Sequence, residues 1–213
     1  LHAVQAKLTE RFQKLFREAG FELLAWGDGG KNRLFSTKAF EKPEDLKQLR
    51  PWAWKDDPVF GAYVQAIGAN PVRVGAMEVY GGLQTRMIDT VPSSAMTAIA
   101  FQWYTKLNYM ADDNINIVIG GSIVEKSKFD QLTPEDQRTL IETAERAARA
   151  SDKIVLRDDA RAYETLLKRG MKEVDIAANR DAWDSVADKT RQKLIGRVYS
   201  KSLLQAVQQA AVQ

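Results

Sequence analysis

The sequence predicts an α/β fold of two lobes connected by one long helix. A strand at 52–54, a helix at 58–68 and a strand at 70–74 follow one another as a βαβ unit, which implies a parallel strand pair. A helical pattern then runs from 134 to 169 almost without a breaker, about 54 Å at 1.5 Å per residue. A compact chain of this length has a radius of gyration of about 17 Å, so the helix is expected to link two lobes.

Composition narrows the function before any motif is considered. The 213 residues are 45% apolar and 28% charged, as in an ordinary globular protein. The absence of cysteine excludes disulfides, thiolate catalysis and zinc–thiolate sites, and the single histidine, His2, excludes a His-based triad or a multi-His metal site. A net charge of +3 produces too weak an electrostatic field to indicate that the protein binds nucleic acid. No apolar run approaches the ~20 residues that span a bilayer.

Helix and turn signals place the elements in order. Thr9 is expected to cap a first helix and Gly20 to follow its end, and Gly27–Gly30 reads as a turn between two extended stretches. Asp57 caps the helix that Pro58 opens. The remaining predicted elements are a first helix at 8–19, strands at 21–26, 33–37, 88–91 and 115–124, helices at 43–49 and 77–85, and a final helical region from 181 with a break near 196–200.

Catalytic and metal-binding patterns are weak. None of the usual nucleophile, zinc or phosphate-loop motifs occurs, so we expect no enzyme, cofactor or metal site. Asp112-Asp113 could hold a hard cation only with further oxygens that the sequence does not supply. Asp158-Asp159 and the mixed charges of the long helix are typical of a solvated, salt-bridged face.

Aromatic residues gather in the α/β segment. Trp52 and Trp54 are two residues apart, so they share a face of one strand near its carboxyl end, where open parallel sheets bind ligands. Tyr80, Trp103 and Tyr104 belong to the same segment. Two interpretations stay open at this point, namely core packing and a flat apolar wall for a ligand.

The order of motifs along residues 42–137 resembles the substrate-binding subunit of TRAP transporters, the DctP-like family. The matching runs are KPEDL at 42–46, AIGANPV at 66–72, EVY at 78–80, LQT at 83–85, ID at 88–89 and FDQLTPEDQ at 129–137. This resemblance implies a type II-like periplasmic binding protein, in which two α/β lobes close around a small-molecule ligand. The loaded protein would then dock on integral membrane subunits that use an ion gradient.

The same resemblance implies a division into lobes. Residues 1–36 would be the remainder of lobe I, 37–110 lobe II, 111–150 the return to lobe I with the start of the bridging helix, and 151–213 its end and the C-terminal helices. Leu1 falls inside the first lobe, so we expect that lobe to be incomplete at its N-terminal side. Unpaired sheet edges there leave open a homo-oligomer or an exchange of lobes between copies.

Departures from the family pattern bear on the ligand. The arginine that usually clamps a carboxylate corresponds to Trp52, a commonly found asparagine corresponds to Ser93, and family glycines correspond to Arg86 and Thr90. We therefore expect an aromatic-walled, mainly apolar pocket for a hydrophobic, aromatic or lipid-like ligand, with the usual organic acid as the alternative. The ligand-binding residues implied by the matched positions are Asn32, Trp52, Trp54, Tyr80, Ser93, Ser94 and Trp103.

Two other classes of function stay open. A cytoplasmic effector-binding domain of a transcription regulator shares the two-lobed architecture, and an enzyme on this fold would have only carboxylate, lysine or tyrosine chemistry to use. The residues upstream of Leu1 would distinguish the transcription regulator from a transport protein. A signal peptide there favours transport, and a helix-turn-helix favours regulation.

Overall fold

The computed structural model describes residues 2–212, which form two compact units. Unit 1 comprises 2–30, 118–157 and 201–212, and unit 2 comprises 31–117 and 158–200. The partition into lobe I and lobe II given above stays a prediction.

The described elements alternate between helix and strand over most of the chain. The α-helices are α1 His2–Glu18, α2 Pro58–Ile67, α3 Val79–Gln84, α4 Ala95–Ala100, α5 Lys126–Phe129, α6 Pro134–Lys168, α7 Arg180–Leu194 and α8 Lys201–Val212. The strands are β1 Phe21–Ser36, β2 Trp52–Trp54, β3 Val72–Val74, β4 Thr90–Ser93, β5 Tyr109–Ala111, β6 Asn116–Glu125 and β7 Lys172–Val174. Short 3₁₀ helices occupy Pro43–Gln48, Ala76–Glu78, Trp103–Lys106 and Ala177–Asn179. Within 2–212 none of the helices combines the length and apolar character that a membrane crossing needs.

Strand directions in unit 2 define two edges of its sheets. The end of β1 pairs antiparallel with β4 and with β5, while β5 pairs parallel with β7. β2 and β3 are parallel, and a parallel bridge joins Pro51 to Thr90 next to β2 and β4. Every strand of unit 2 except β1 therefore runs in the same direction, so the carboxyl ends of β2 and β4 point to one edge.

The predicted βαβ unit is confirmed, together with the signals that bound its helix. The Asp57 carboxylate accepts hydrogen bonds from the backbone N–H of Val59 (2.7 Å) and Phe60 (3.2 Å) at the start of α2. Gly68 ends the helix in the left-handed region, with φ of 90°. These caps satisfy terminal backbone groups that a helix leaves unpaired, which is why the boundaries can be read from the sequence.

Two apolar clusters form the core of unit 2. One packs Leu34, Phe40 and Val64 around Trp183, and the other packs Phe35 with Trp52 and further residues of β4, α4 and α6. Consecutive residues of β1, Leu34 and Phe35, thus face different clusters, as the alternation of a strand requires.

The turn expected at Gly27–Gly30 is wrong, because β1 continues through these residues. Instead, the missing side chain of Gly29 allows β6 to lie close to β1 within unit 1. A Cβ at Gly29 would lie 2.6 Å from Cγ1 of Val118, and Gly30 has a φ of 92° that glycine adopts without strain.

The start expected for the first helix is also wrong. α1 begins at His2, and the Thr9 hydroxyl donates to the backbone oxygen of Gln5 at 2.7 Å inside the helix instead of capping its first turn. Its expected end is confirmed, since Gly20 follows Glu18 and Ala19 with a φ of 88°.

The long helix is confirmed at 35 residues in α6. The Thr133 hydroxyl accepts from the N–H of Asp136 at 3.2 Å, as expected of an N-cap. Residues 134–157 of α6 belong to unit 1 and 158–168 to unit 2, so one helix contributes to both units, as its length predicts.

Candidate ligand site

All seven residues expected to bind a ligand belong to unit 2, six of them on five of its elements and Ser94 in the turn after β4. β2 carries Trp52 and Trp54, and β4 ends at Ser93 with Ser94 following it. Trp54, Ser93 and Ser94 lie at the carboxyl edge of the sheets, where the fold class places ligands, while Trp52 begins β2.

Two of the three tryptophans are core residues. Trp52 and Trp103 are 6% and 2% exposed, and their rings meet edge to face with centroids 5.5 Å apart. The indole N–H of Trp52 donates to the backbone oxygen of Val74 at 3.0 Å, which satisfies its polar atom inside unit 2. Trp54 is 52% exposed and stands apart from this cluster. The structure therefore brings Trp52 and Trp103 together and leaves Trp54 at the surface.

The two serines use their hydroxyls locally. The Ser94 hydroxyl accepts from the N–H of Thr97 at 3.1 Å and donates to the Thr97 hydroxyl at 2.8 Å, so it caps α4. The Ser93 hydroxyl donates to the backbone oxygen of Ser94 at 3.0 Å. Both residues are buried, and their first contribution is to fix the turn from β4 into α4.

Asn32 and Tyr80 are half-buried at the margins of this region. The backbone oxygen of Asn32 accepts from the N–H of Ile115 at 2.9 Å. Tyr80 packs against the second core cluster, and the ammonium of Lys106 lies 5.7 Å from the centre of its ring. Tyr80 thus packs against the cluster that contains Trp52 and Trp103, whereas the Asn32 contact is to the backbone of Ile115.

Arg33 is the residue of this region that sequence reasoning missed. It is 8% exposed and lies opposite Ser93 in the antiparallel register of β1 and β4. Nη1 donates to the backbone oxygens of Ala111, at 3.2 Å, and of Asp112, and the guanidinium carbon lies 4.3 Å from the ring centre of Tyr163. The signal in the sequence is a single arginine directly before the apolar pair Leu34–Phe35.

The charge of Arg33 is incompletely matched by its surroundings. Its Nε is buried and has no hydrogen-bond partner within the described part of the chain. Over the same residues, no carboxylate lies within ion-pair distance of its guanidinium. A buried cation without a carboxylate is energetically unfavourable unless another anion approaches it, so this position favours binding of a negative group.

Tyr163 separates Arg33 from an acidic side chain. Its hydroxyl donates to the carboxylate of Glu173, and its ring stacks under the Arg33 guanidinium. Burial, followed by the bond to Glu173, raises the pKa of the Tyr163 phenol above its ordinary value, while the nearby Arg33 lowers it. The phenol therefore stays neutral at physiological pH and holds the guanidinium plane in place.

Asp159 contradicts the solvated face expected for Asp158-Asp159. It is 5% exposed, and its two oxygens accept from the N–H of Met96 at 3.2 Å and of Lys31 at 3.4 Å. Asp158 behaves as expected, lying 3.8 Å from Arg161 at the surface. Asp159 thus ties β1 and the start of α4 to α6.

The acidic pair Asp112-Asp113 is used by protein donors. Oδ1 of Asp112 accepts from the N–H of Ile176 at 3.0 Å, and the Asp113 carboxylate pairs with Arg180. Among the residues that the structure describes, no three potential metal ligands of the histidine, cysteine or carboxylate type converge.

Comparison with known proteins places this architecture in a family. The family described as DctP, bacterial extracellular solute-binding protein, family 7, matches residues 2–196. The 2,3-diketo-L-gulonate-binding periplasmic protein YiaO of Escherichia coli (strain K12) is 28% identical over 211 residues, covering 96% of this chain and 62% of its own length. The present chain thus spans somewhat less than two thirds of that relative.

Solved structures give the same fold at low identity. A TRAP periplasmic solute-binding protein from Sulfitobacter sp. NAS-14.1 with bound β-D-galacturonate superposes with a TM-score of 0.86 at 17% identity, over 97% of this chain and 67% of its own. DctP7 of Bordetella pertussis, an extracytoplasmic solute receptor binding pyroglutamic acid, has a TM-score of 0.86 at 16% identity, over 100% and 69%. On the strength of the match over residues 2–196, the chain belongs to the DctP family of bacterial extracellular solute-binding proteins.

Proposed function

We propose that this protein is the periplasmic solute receptor of a TRAP-type secondary transporter and that its ligand is a small organic acid. It captures the solute without transforming it and delivers it to integral membrane subunits. The ligand class departs from the mainly apolar compound expected from the sequence.

The ligands named for its relatives support an organic acid. Diketogulonate, galacturonate and pyroglutamate, which the three compared proteins bind, each carry a carboxylate. The expectation of an apolar ligand depended on an aromatic wall, yet Trp52 and Trp103 are packed in the core and only Trp54 is open to solvent.

Arg33 is the single observation that carries the proposal. Its guanidinium is buried beside Ser93 at the carboxyl edge of β4, with one N–H unpaired and no carboxylate partner over residues 2–212. An incoming carboxylate would supply the missing charge and accept that N–H, a charge-assisted hydrogen bond in a poorly solvated place. Arg33 then replaces, from another strand, the clamp that the family resemblance places at Trp52.

The test compares Arg33→Lys and Arg33→Gln with the exposed control Arg161→Gln, using calorimetric titration with glucuronate and galacturonate. Loss of a charge-assisted hydrogen bond of about 1.5–3 kcal/mol predicts roughly 10- to 100-fold weaker binding in Arg33→Gln. Arg33→Lys should retain part of the affinity, because it keeps the charge, and the control should bind as the native protein does. Unchanged affinity in a folded Arg33→Gln variant would remove Arg33 from the site.

A screen of thermal stability tests the ligand class independently of Arg33. Sugar acids and small carboxylic acids should raise the melting temperature, and apolar aromatic compounds of similar size should leave it unchanged. The opposite pattern would restore the hydrophobic ligand expected from the sequence.

A further inference from the structure

A basic pocket lies at the edge of unit 2 opposite the candidate ligand site. It is a cavity of about 480 Å³ whose lining includes Lys38, Arg50, Arg86, Lys106 and Asn108. Lys38 follows β1, and the other four precede β2, β4 or β5. Because β1 runs against the other strands, these residues share the amino edge of β2, β4 and β5, whereas Trp54, Ser93 and Ser94 share the carboxyl edge.

Positive charge is concentrated in this pocket. Its four cations face one carboxylate, the buried Asp89, which accepts from the backbone N–H of Arg50 at 2.6 Å and pairs with its Nε at 3.4 Å. The surplus of three positive charges equals the formal charge of the entire chain, +3. Over residues 2–212, Lys38 and Arg86 pair with no carboxylate. A small anion would relieve the repulsion among these groups.

Arg86 supplies an independent observation. It has a φ of 60°, the left-handed conformation that is unfavourable for a residue with a Cβ. It follows Thr85, the C-cap of α3, at the position where helix ends most often carry glycine. Arg86 therefore places a guanidinium at a backbone position that glycine would occupy with less strain. Backbone strain of this kind is characteristic of functional positions.

We propose that the basic pocket binds a phosphate-type oxyanion, either as a free anion or as the phosphate of a lipid headgroup. Arg86 offers a bidentate fork, and Lys38 and Lys106 offer point charges. The Lys106 ammonium is already held 5.7 Å from the ring centre of Tyr80. The proposal is independent of the organic acid proposed above, which binds at the other edge of the same sheets.

The test titrates inorganic phosphate into the native chain, Arg86→Gly, Lys38→Gln and the control Arg161→Gln at low ionic strength. Arg86→Gly should weaken phosphate binding about tenfold or more, because a charge-assisted contact is lost. The same variant should melt about 2 °C higher, because the left-handed backbone is relieved. Weaker binding in a more stable protein cannot result from damage to the fold. Arg161→Gln should match the native chain, and Arg86→Gly should keep the native affinity for sugar acids.

Three results would overturn the proposal. They are no phosphate binding to the native chain, native phosphate affinity in Arg86→Gly, or a rise in the melting temperature of the native chain that is the same with sodium chloride as with phosphate at matched ionic strength. Vesicles distinguish the two sources of phosphate. Sedimentation with phosphatidylglycerol vesicles that Arg86→Gly abolishes assigns the pocket to a headgroup, and phosphate binding without sedimentation assigns it to a free anion.

Discussion

At the scale of single residues, the sequence does not predict which charged side chains of unit 2 are buried, and Asp159 is an example. Asp159 follows another aspartate on a charged helix, a pattern that indicates a solvated face. In the fold its oxygens meet the N–H groups of Met96 and Lys31, 63 and 128 residues away along the chain. No local pattern encodes such partners, so the sequence could not distinguish Asp159 from its half-buried neighbour Asp158.

Asp159→Asn should destabilise the protein. Asparagine has one acceptor oxygen in place of two, so one of the two backbone N–H groups loses its partner in a buried place. The expected loss in the free energy of unfolding is about 1–3 kcal/mol, measured by urea denaturation. Asp158→Asn is the matched control and should change it by less than about 0.5 kcal/mol. Equal effects of the two substitutions would contradict the role given to Asp159.

Two tyrosines predict a loss of stability at alkaline pH. Burial is the main cause that raises the pKa of Tyr63 and of Tyr163 above the ordinary value of 10.0. Below that value both phenols are neutral in the folded and unfolded states. Above it the unfolded chain releases these protons while the folded chain retains them, so stability falls as pH rises. The fall is up to about 1.4 kcal/mol per pH unit for Tyr63, and it is smaller for Tyr163, whose phenol is partly exposed and screened by solvent.

Urea denaturation between about pH 9 and about pH 11 measures this fall. Tyr63→Phe should flatten the alkaline limb, because phenylalanine has no proton to release. A native protein whose stability is constant over this range would show that neither phenol is shielded as described.

At the scale of elements, the sequence predicts best where caps and breakers are local. Asp57, Pro58 and Gly68 bound α2 within the chain segment that they cap, and the βαβ unit follows from them. The prediction failed at Gly27–Gly30, where Gly29 leaves room for Val118 of β6, a strand some 90 residues later in the chain. Glycine has two uses, turns and close approaches, and only the fold distinguishes them.

Asp57→Ala should cost about 1 kcal/mol of unfolding free energy, because the N–H groups of Val59 and Phe60 lose their acceptor. The neighbouring Asp56→Ala is the control and should be nearly neutral, since Asp56 is exposed and caps nothing in the described structure. Chemical denaturation of both variants decides between capping and a general effect of removing charge.

Gly29→Ala should destabilise unit 1, because its new Cβ would lie 2.6 Å from the branched Val118 side chain. Overpacking of this kind typically costs about 1–3 kcal/mol. Gly81→Ala is the contrasting control, since a Cβ on this residue of α3 meets nothing within 4 Å. It should stabilise the protein by about 0.5–1 kcal/mol, and a Gly29→Ala variant as stable as this control would refute the close approach.

At the scale of the molecule, helix length predicted the organisation that the two units display. α6 has 35 residues and contributes to both units. The two core clusters belong to unit 2, while Val118, Ile119 and Ile123 of β6 in unit 1 are all more than 40% exposed.

Backbone amides of residues 118–125 should therefore exchange with solvent at least about tenfold faster than those of 90–93. The physical reason is that local opening of β6 exposes little additional apolar surface. Hydrogen–deuterium exchange followed by mass spectrometry measures both segments in one experiment, and equal protection would contradict the lower local stability expected for β6.

The candidate site was predictable as a region but not as a set of contacts. The carboxyl edge of β2 followed from the predicted parallel pair, and the family motifs directed attention to Trp52 and Ser93, whereas the alignment of β4 with β2 was seen only in the structure. Arg33 was missed because a strand pattern tells which face a residue lies on and not which backbone oxygens it meets. Its partners on β5 lie 78 and 79 residues away.

Calorimetric titration of the native protein with glucuronate and, under identical conditions, with glucose tests whether the protein binds a small organic acid. The two compounds share a sugar ring and differ in the carboxylate that Arg33 is proposed to bind. We expect measurable binding of the acid and at least about 100-fold weaker binding of the neutral sugar. Equal affinity for both, or binding of neither alongside tight binding of an apolar aromatic compound, would contradict this expectation.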